Sequence, residues 1–284
     1  MRESGILMHI TSLPAPYGIG TMGKDAYAFV DFLVRAGQRY WQILPLTPTG
    51  YGDSPYQSLG ACAGNHYLID LDRLADEGLL KKEEIQDIPW GSNPARVDFG
   101  AMYAHRMNVL RLAFQRFAPD EAYETFVEQN RNWLEDYALF TALKDTLGGK
   151  PWLEWPEALR LRKADALAEK RRELSDEIRL QYFVQYEFDR QWKALRSYAN
   201  AKGVRIIGDV PIYVPLDSAD VWANPELFRG RCAAGFLQRG RPALGQPHLR
   251  LEKDGADSLF LVDSAPDGCR KAVRCYPSGS FPRL

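Results

Sequence analysis

The residues best placed to do chemistry lie in two short segments. Asp209 interrupts a nearly continuous apolar run from Val204 to Val214. An unpaired carboxylate in such surroundings costs on the order of several kcal/mol, so Asp209 must be hydrogen-bonded or face a polar cleft where it can hold a ligand. The second segment, Thr49-Gly-Tyr-Gly-Asp-Ser-Pro-Tyr-Gln57, gathers Tyr51, Ser54 and Tyr56 around Asp53 within nine residues. Two aromatic faces, a hydroxyl and a carboxylate suit a flat-faced polar ligand; a plain structured turn is the alternative. Trp222, in Asp217-Ser-Ala-Asp-Val-Trp222, offers either a stacking surface or a core anchor.

Other chemistries find less support. Gly18-Ile-Gly-Thr-Met-Gly23 matches the GxGxxG pattern of dinucleotide sites. In those sites the first glycine closely follows a strand, and an acid about 20 residues on ends the next one. Here Pro14 to Tyr17 intervene and the next predicted strand ends in Leu44-Pro45, so a glycine-rich turn at a barrel rim is the better reading. His9, His66, His105 and His248 have no HxxH or HExxH spacing and read as single satisfied histidines. The four cysteines lack CxxC spacing, which suggests neither a disulfide scaffold nor a zinc site. No metal and no organic cofactor is expected.

The elements that must position these residues follow from periodicity. Gly5–Leu13 reads as a strand, Gly23–Ala36 as a helix stopped by Gly37, and Arg39–Leu46 as a second strand. That is a β–α–β unit, which builds parallel sheets, and parallel sheets carry ligands at their carboxyl ends. The Thr47–Asn65 loop starts at such an end. Residues 98–200 read as mainly helical. One stripe there is Tyr103, Met107, Leu110, Phe114 and Phe117; another is Val184, Phe188, Trp192, Leu195 and Ala199. Asn132 with Glu135 suggests a capping box for a helix that ends at Gly148-Gly149. The run 204–214 suggests a strand buried on both faces.

Composition sets the frame. The 284 residues, 45% hydrophobic and 26% charged with net charge −1, are those of a globular protein and exclude collagen, coiled-coil and wholly disordered chains. No electrostatic footprint for nucleic acid or an anionic membrane appears, and no apolar run approaches a membrane span. A cytoplasmic location is the default expectation. The average conceals a break: residues 1–228 carry −6 and all seven Trp, whereas residues 229–284 carry +5, no Trp and three of the four Cys.

Taken together, several segments resemble the 4-α-glucanotransferases, the amylomaltase or disproportionating-enzyme family of α-amylase-like barrels. They are Gly5-Ile-Leu-Met-His-Ile-Thr-Ser-Leu-Pro14, Tyr40-Trp-Gln-Ile-Leu-Pro-Leu46, Gly52-Asp-Ser-Pro-Tyr-Gln-Ser58 and Tyr67-Leu-Ile-Asp-Leu71. Trp152-Leu-Glu-Trp155, Gly208-Asp-Val-Pro-Ile-Tyr-Val214 and Asp217 to Trp222 complete the set. One departure is His66, where the family often has Pro. The resemblance implies an α/β fold, a (β/α)8 TIM-type barrel with helical insertions, of which residues 1–228 supply only the N-terminal part. It implies transfer of α-1,4-glucan segments between maltodextrins by a retaining double displacement, in which an Asp attacks and a Glu protonates the leaving oxygen. By motif match Asp209 is the cleft carboxylate of the third barrel strand, and Tyr51, Ser54 and Tyr56 line sugar subsites; with Trp222 they form the candidate substrate-binding set.

The motif match stops at Phe228. The nucleophile segment expected later, Arg-(Ile/Leu/Val)-Asp-His-Phe-Arg-Gly, does not occur in frame, nor do the carboxylates beyond it, so no catalytic residue is assigned. The genetic code offers a reason. Codons for Arg231–Leu237, Leu244–Leu249 and Pro277–Leu284 can each be chosen so that reading one base later gives family-like segments. These are Gly-Ala-Pro-Pro-Gly-Phe-Ser, Trp-Gly-Asn-Pro-Thr and Arg-Leu-Asp-His-Phe-Arg-Gly, in family order and in one shifted frame. Residues 229–284 are therefore read as an out-of-frame, disordered tail. The expectation is a truncated, inactive glucanotransferase; the alternative is a non-catalytic fragment with at most weak maltodextrin binding. A nicotinamide enzyme built on Gly18–Gly23 is the remote third.

Overall fold

Three parallel strands and the helices behind them place the ligand-bearing loops. The computed structural model describes residues 2–50, 52–93, 95–209, 214–229 and 248–249. In chain order the elements are β1 (Gly5–Leu7), α1 (Lys24–Arg35), β2 (Tyr40–Gln42), α2 (Leu71–Asp76), α3 (Glu83–Gln86), α4 (Phe99–Arg116) and α5 (Glu121–Thr146). They continue with α6 (Glu157–Arg160), α7 (Ala164–Glu173), α8 (Ser175–Ala201), β3 (Arg205–Ile207) and α9 (Ala219–Ala223). Phe228–Arg229 (β4) pairs antiparallel with His248–Leu249 (β5). The rest of 230–284, the expected out-of-frame tail, lies outside the described residues.

The β–α–β unit forms as expected. β1 and β3 flank β2, all parallel, with Leu7, Gln42 and Ile207 in register. Side chains alternate between the faces. Ile6, Trp41 and Ile206 point into a core shared with Val30 and Leu33 of α1 and Leu195 and Ala199 of α8. The opposite face carries Leu7, which is 55% exposed, and exposed Gln42. Of the run 204–214, expected to be a strand buried on both faces, Arg205–Ile207 forms β3 and is not fully buried: Arg205 is exposed and Ile206 and Ile207 are half-buried, while 210–213 lie outside the described residues. The strand expected over Gly5–Leu13 ends at Leu7 and turns into a 3-10 helix at Ile10–Ser12.

The glycine-rich turn closes against protein. A Cβ on Gly20 would collide with the Ile10 carbonyl, and one on Gly23 with the Asp70 carboxylate, which also accepts from Thr21 Oγ1 at 2.6 Å. Asp70 therefore occupies the amino end of α1, where a pyrophosphate would sit in a dinucleotide site.

The helical region is where periodicity placed it, with two corrections. The Asn132–Glu135 pair lies inside α5; the helix starts at Asp120, whose side chain accepts from Tyr123 N at 2.8 Å. Gly148 and Gly149, both at positive φ, do end it. Tyr103, expected in an apolar stripe, is 54% exposed. The stripe of α8 holds, with Val184, Trp192, Leu195 and Ala199 buried. Among the described residues no helix is long and apolar enough to cross a membrane.

Candidate functional site

Asp209 stands two residues past β3, at the carboxyl end of the sheet. The Thr47–Asn65 loop leaves the same end after β2. Its tip is a hairpin: Thr49 and Ser58 form an antiparallel bridge, and Gly50 N donates to Gln57 O at 2.8 Å. Ser54 Oγ accepts from Tyr56 N at 3.3 Å and shapes the turn. Tyr56, 44% exposed, extends from the hairpin and its hydroxyl donates to Asp209 Oδ2 at 2.6 Å. That bond, with the neighbouring negative charge, raises the Tyr56 pKa, so the phenol stays protonated. The pair presents a carboxylate, a phenol and an exposed ring to solvent, a combination that hydrogen-bonds hydroxyls and stacks on flat faces.

The structure brings Ser54, Tyr56 and Asp209 together. Tyr51 falls outside the described residues. Trp222 goes elsewhere. It is 1% exposed, packs on Phe140 and Trp155, lies under the Arg162 guanidinium at 4.2 Å, and donates Nε1 to Leu159 O. Its ring faces are taken by protein, so it is a core anchor rather than a sugar-stacking surface.

Other residues of this region escaped sequence reasoning. Tyr103 of α4 donates to Asp53 Oδ1 at 2.9 Å and to Gly50 O at 3.3 Å, adding an exposed ring beside the hairpin. Its place in an apolar stripe concealed it. Gln185 and Gln191 of α8, both buried, clamp the backbone of Gly64 and Asp70 through paired amide hydrogen bonds. His9 stands two residues past β1, as Asp209 does past β3, and its shielded Nδ1 has no protein partner; burial lowers its pKa to about 4. It is thus neutral, but not satisfied within the protein as expected of a single histidine. His66 is likewise held neutral by burial, with its pKa lowered to about 3. Among the described residues no group of three His, Cys, Asp or Glu is arranged to hold a metal.

Comparison with known proteins bears on this geometry. A family model described as 4-alpha-glucanotransferase matches residues 8–246, running past Phe228, where the sequence motifs stop. The 4-alpha-glucanotransferase of Thermus thermophilus is 52% identical over 249 residues, which are 86% of this chain and 48% of that protein. That of Clostridium butyricum is 48% identical over 223 residues, 78% of this chain and 46% of the relative. Among solved structures, an amylomaltase from Streptococcus agalactiae in complex with acarbose superposes with a TM-score of 0.77 at 48% identity, covering 80% of this chain and 47% of that one. The amylomaltase of Corynebacterium glutamicum, 17% identical with a TM-score of 0.62, shares the fold; 80% of this chain and 32% of that one are covered. The chain spans about half the length of the curated relatives it matches.

Proposed function

The chain belongs to the 4-alpha-glucanotransferase family, and from that premise we propose that it carries one wall of a cleft for α-1,4-linked glucans. The observation that supports this most directly is the hydrogen bond between exposed Tyr56 and Asp209 at the carboxyl end of a parallel sheet. In this reading β1, β2 and β3 are the first three strands of a (β/α)8 barrel, and the helices from α4 to α8 are an insertion that supports the loop. Asp209 accepts hydrogen bonds from sugar hydroxyls, Tyr56 offers a ring face, and Ser54 holds the hairpin turn. The acarbose bound to the Streptococcus agalactiae relative is consistent with a maltodextrin-like ligand.

Retaining transfer needs two carboxylates about 5 Å apart, one attacking the anomeric carbon and one protonating the leaving oxygen. Asp209 serves neither role here, and the nucleophile segment is absent in frame. In this reading these 284 residues by themselves bind maltodextrins without transferring them, and residues 229–284 are an out-of-frame continuation of a glucanotransferase sequence.

Incubation with maltotriose is expected to release no glucose and to yield no longer chains. Titration with maltoheptaose is expected to show binding that weakens about tenfold in Tyr56→Phe and in Asp209→Asn, the loss of roughly one hydrogen bond involving a charged group. Lengthening of maltotriose by the purified chain would overturn the inactive reading. Resequencing from the Phe228 codon tests the tail: a one-base correction that opens Arg-Leu-Asp-His-Phe-Arg-Gly supports it, and confirmation of the present frame past the matched residues, with no such segment in any frame, excludes it.

A further inference from the structure

We infer that Asp220 is a positioning residue for the Tyr56–Asp209 pair: from α9 its carboxylate holds the turn at 58–61, and that turn fixes the hairpin that carries Tyr56. The functional meaning rests on the glucan-cleft reading above; the anchoring rests on geometry alone.

The connections are continuous. Asp220 Oδ2 accepts from Ala61 N at 2.8 Å, and the preceding residue of α9, Ala219, donates its N–H to Leu59 O at 2.8 Å. The start of α9 thus holds both sides of the turn. Gly60, between them, lies against the ring of Tyr137 on α5, so closely that an added Cβ would stand 2.6 Å from it. Ser58 Oγ bonds both polar groups of Gly60, at 2.8 and 3.1 Å. Ser58 then bridges Thr49, and Gln57 O receives Gly50 N, which carries the constraint into the hairpin. Tyr56 is next in line and reaches Asp209. A shift of the turn is therefore a shift of the Tyr56 hydroxyl.

The choice of a carboxylate matters. The groups that face it are its own N–H, Ala61 N–H and, from α5, buried Tyr137; Ser58 to Ala61 contribute no ionisable side chain. The cations that touch this part of the chain are engaged elsewhere, Lys144 with Asp217 and Arg162 with Asp136 and the Trp222 ring. Without a cation, desolvation pushes the Asp220 pKa up to about 6. The burial cost of the ionised form outweighs the hydrogen bonds that favour it, so the anchored turn is most stable below that value and loosens as Asp220 ionises. An Asn would accept the same N–H at every pH.

Amide hydrogen exchange in the full chain, corrected for intrinsic rates, tests this without any ligand. In the wild-type protein, protection at Ala61 and at Gly50 is expected to rise about tenfold between pH 7.5 and pH 5, because the closed turn takes up a proton near pH 6 that the opened turn binds only at the ordinary carboxylate value. Asp220→Asn is expected to be folded and flat over that range, at the wild-type acid level; Asp220→Ala is expected to lose protection at both amides. Maltoheptaose affinity should follow the same pattern. An Asp220→Asn profile identical to wild type, or unchanged Gly50 protection in Asp220→Ala, would overturn the proposal, because a merely local role leaves Gly50 unmoved. If the wild-type chain binds no maltoheptaose, the glucan reading falls, while exchange at Ala61 and Gly50 still decides the anchoring.

Discussion

Tyr56 and Asp209 are 153 positions apart in the chain and 2.6 Å apart in space. Each was legible in the sequence for its own reason. A carboxylate inside an apolar run must find a partner, and a tyrosine in a Gly-rich loop after a predicted strand stands where parallel sheets hold ligands. That they meet was implied only through the family resemblance, since no local rule pairs a loop with a strand end so distant. Trp222 was not legible, because an aromatic near a cleft reads the same whether its face is wet or dry. Its packing against Phe140, Trp155 and Arg162 decides the matter and gives a prediction. Trp222→Ala should lose about 3–5 kcal/mol of stability, the range for emptying a large aromatic site in a core. Urea denaturation at neutral pH measures it. A surface stacking residue would instead lose less than about 0.5 kcal/mol and show its defect in maltodextrin binding.

At the scale of elements, helices were easier to read than strands. A stripe such as Val184–Ala199 repeats often enough to fix both the helix and its buried face. Each strand of the sheet is only three residues long, and the apolar residues directly after β1 and β2 belong to the carboxyl-end loops. Continuous apolar runs therefore overstated β1 and the burial of β3. Helix starts failed where two signals competed. Asn132 and Glu135 have capping-box spacing, but the chain was already helical from Asp120, whose carboxylate takes Tyr123 N–H. Asp120→Ala should therefore cost about 1 kcal/mol, the usual value of an N-cap side chain. Asn132→Ala, inside the helix on an exposed position, should stay within about 0.5 kcal/mol of wild type. Thermal unfolding of the two variants separates them, and the reverse order would restore the capping box.

Across the whole molecule the described sheet is covered on one face and open on the other. Trp41, Ile6 and Ile206 are sealed by α1 and α8, whereas Leu7 is 55% exposed beside exposed Gln42. The strands on either side of β2 are β1 and β3, and among the described residues neither pairs with a further strand. Unpaired parallel edges next to exposed apolar side chains template association with other chains. The relatives are about twice as long as the matched region, and in the proposed reading these three strands are the first of a barrel. The expected consequence is self-association: light scattering should find species heavier than the 32.3 kDa monomer at micromolar concentration, together with binding of an apolar dye. Leu7→Lys, which puts a charge on the open face and next to the β1 edge, should shift the distribution toward monomer without altering helix content. A wild-type chain that stays monomeric and binds no dye would mean that residues outside the described set cover this face. The sheet would then be complete on its own terms, and the half-length chain a self-sufficient fold rather than an open one.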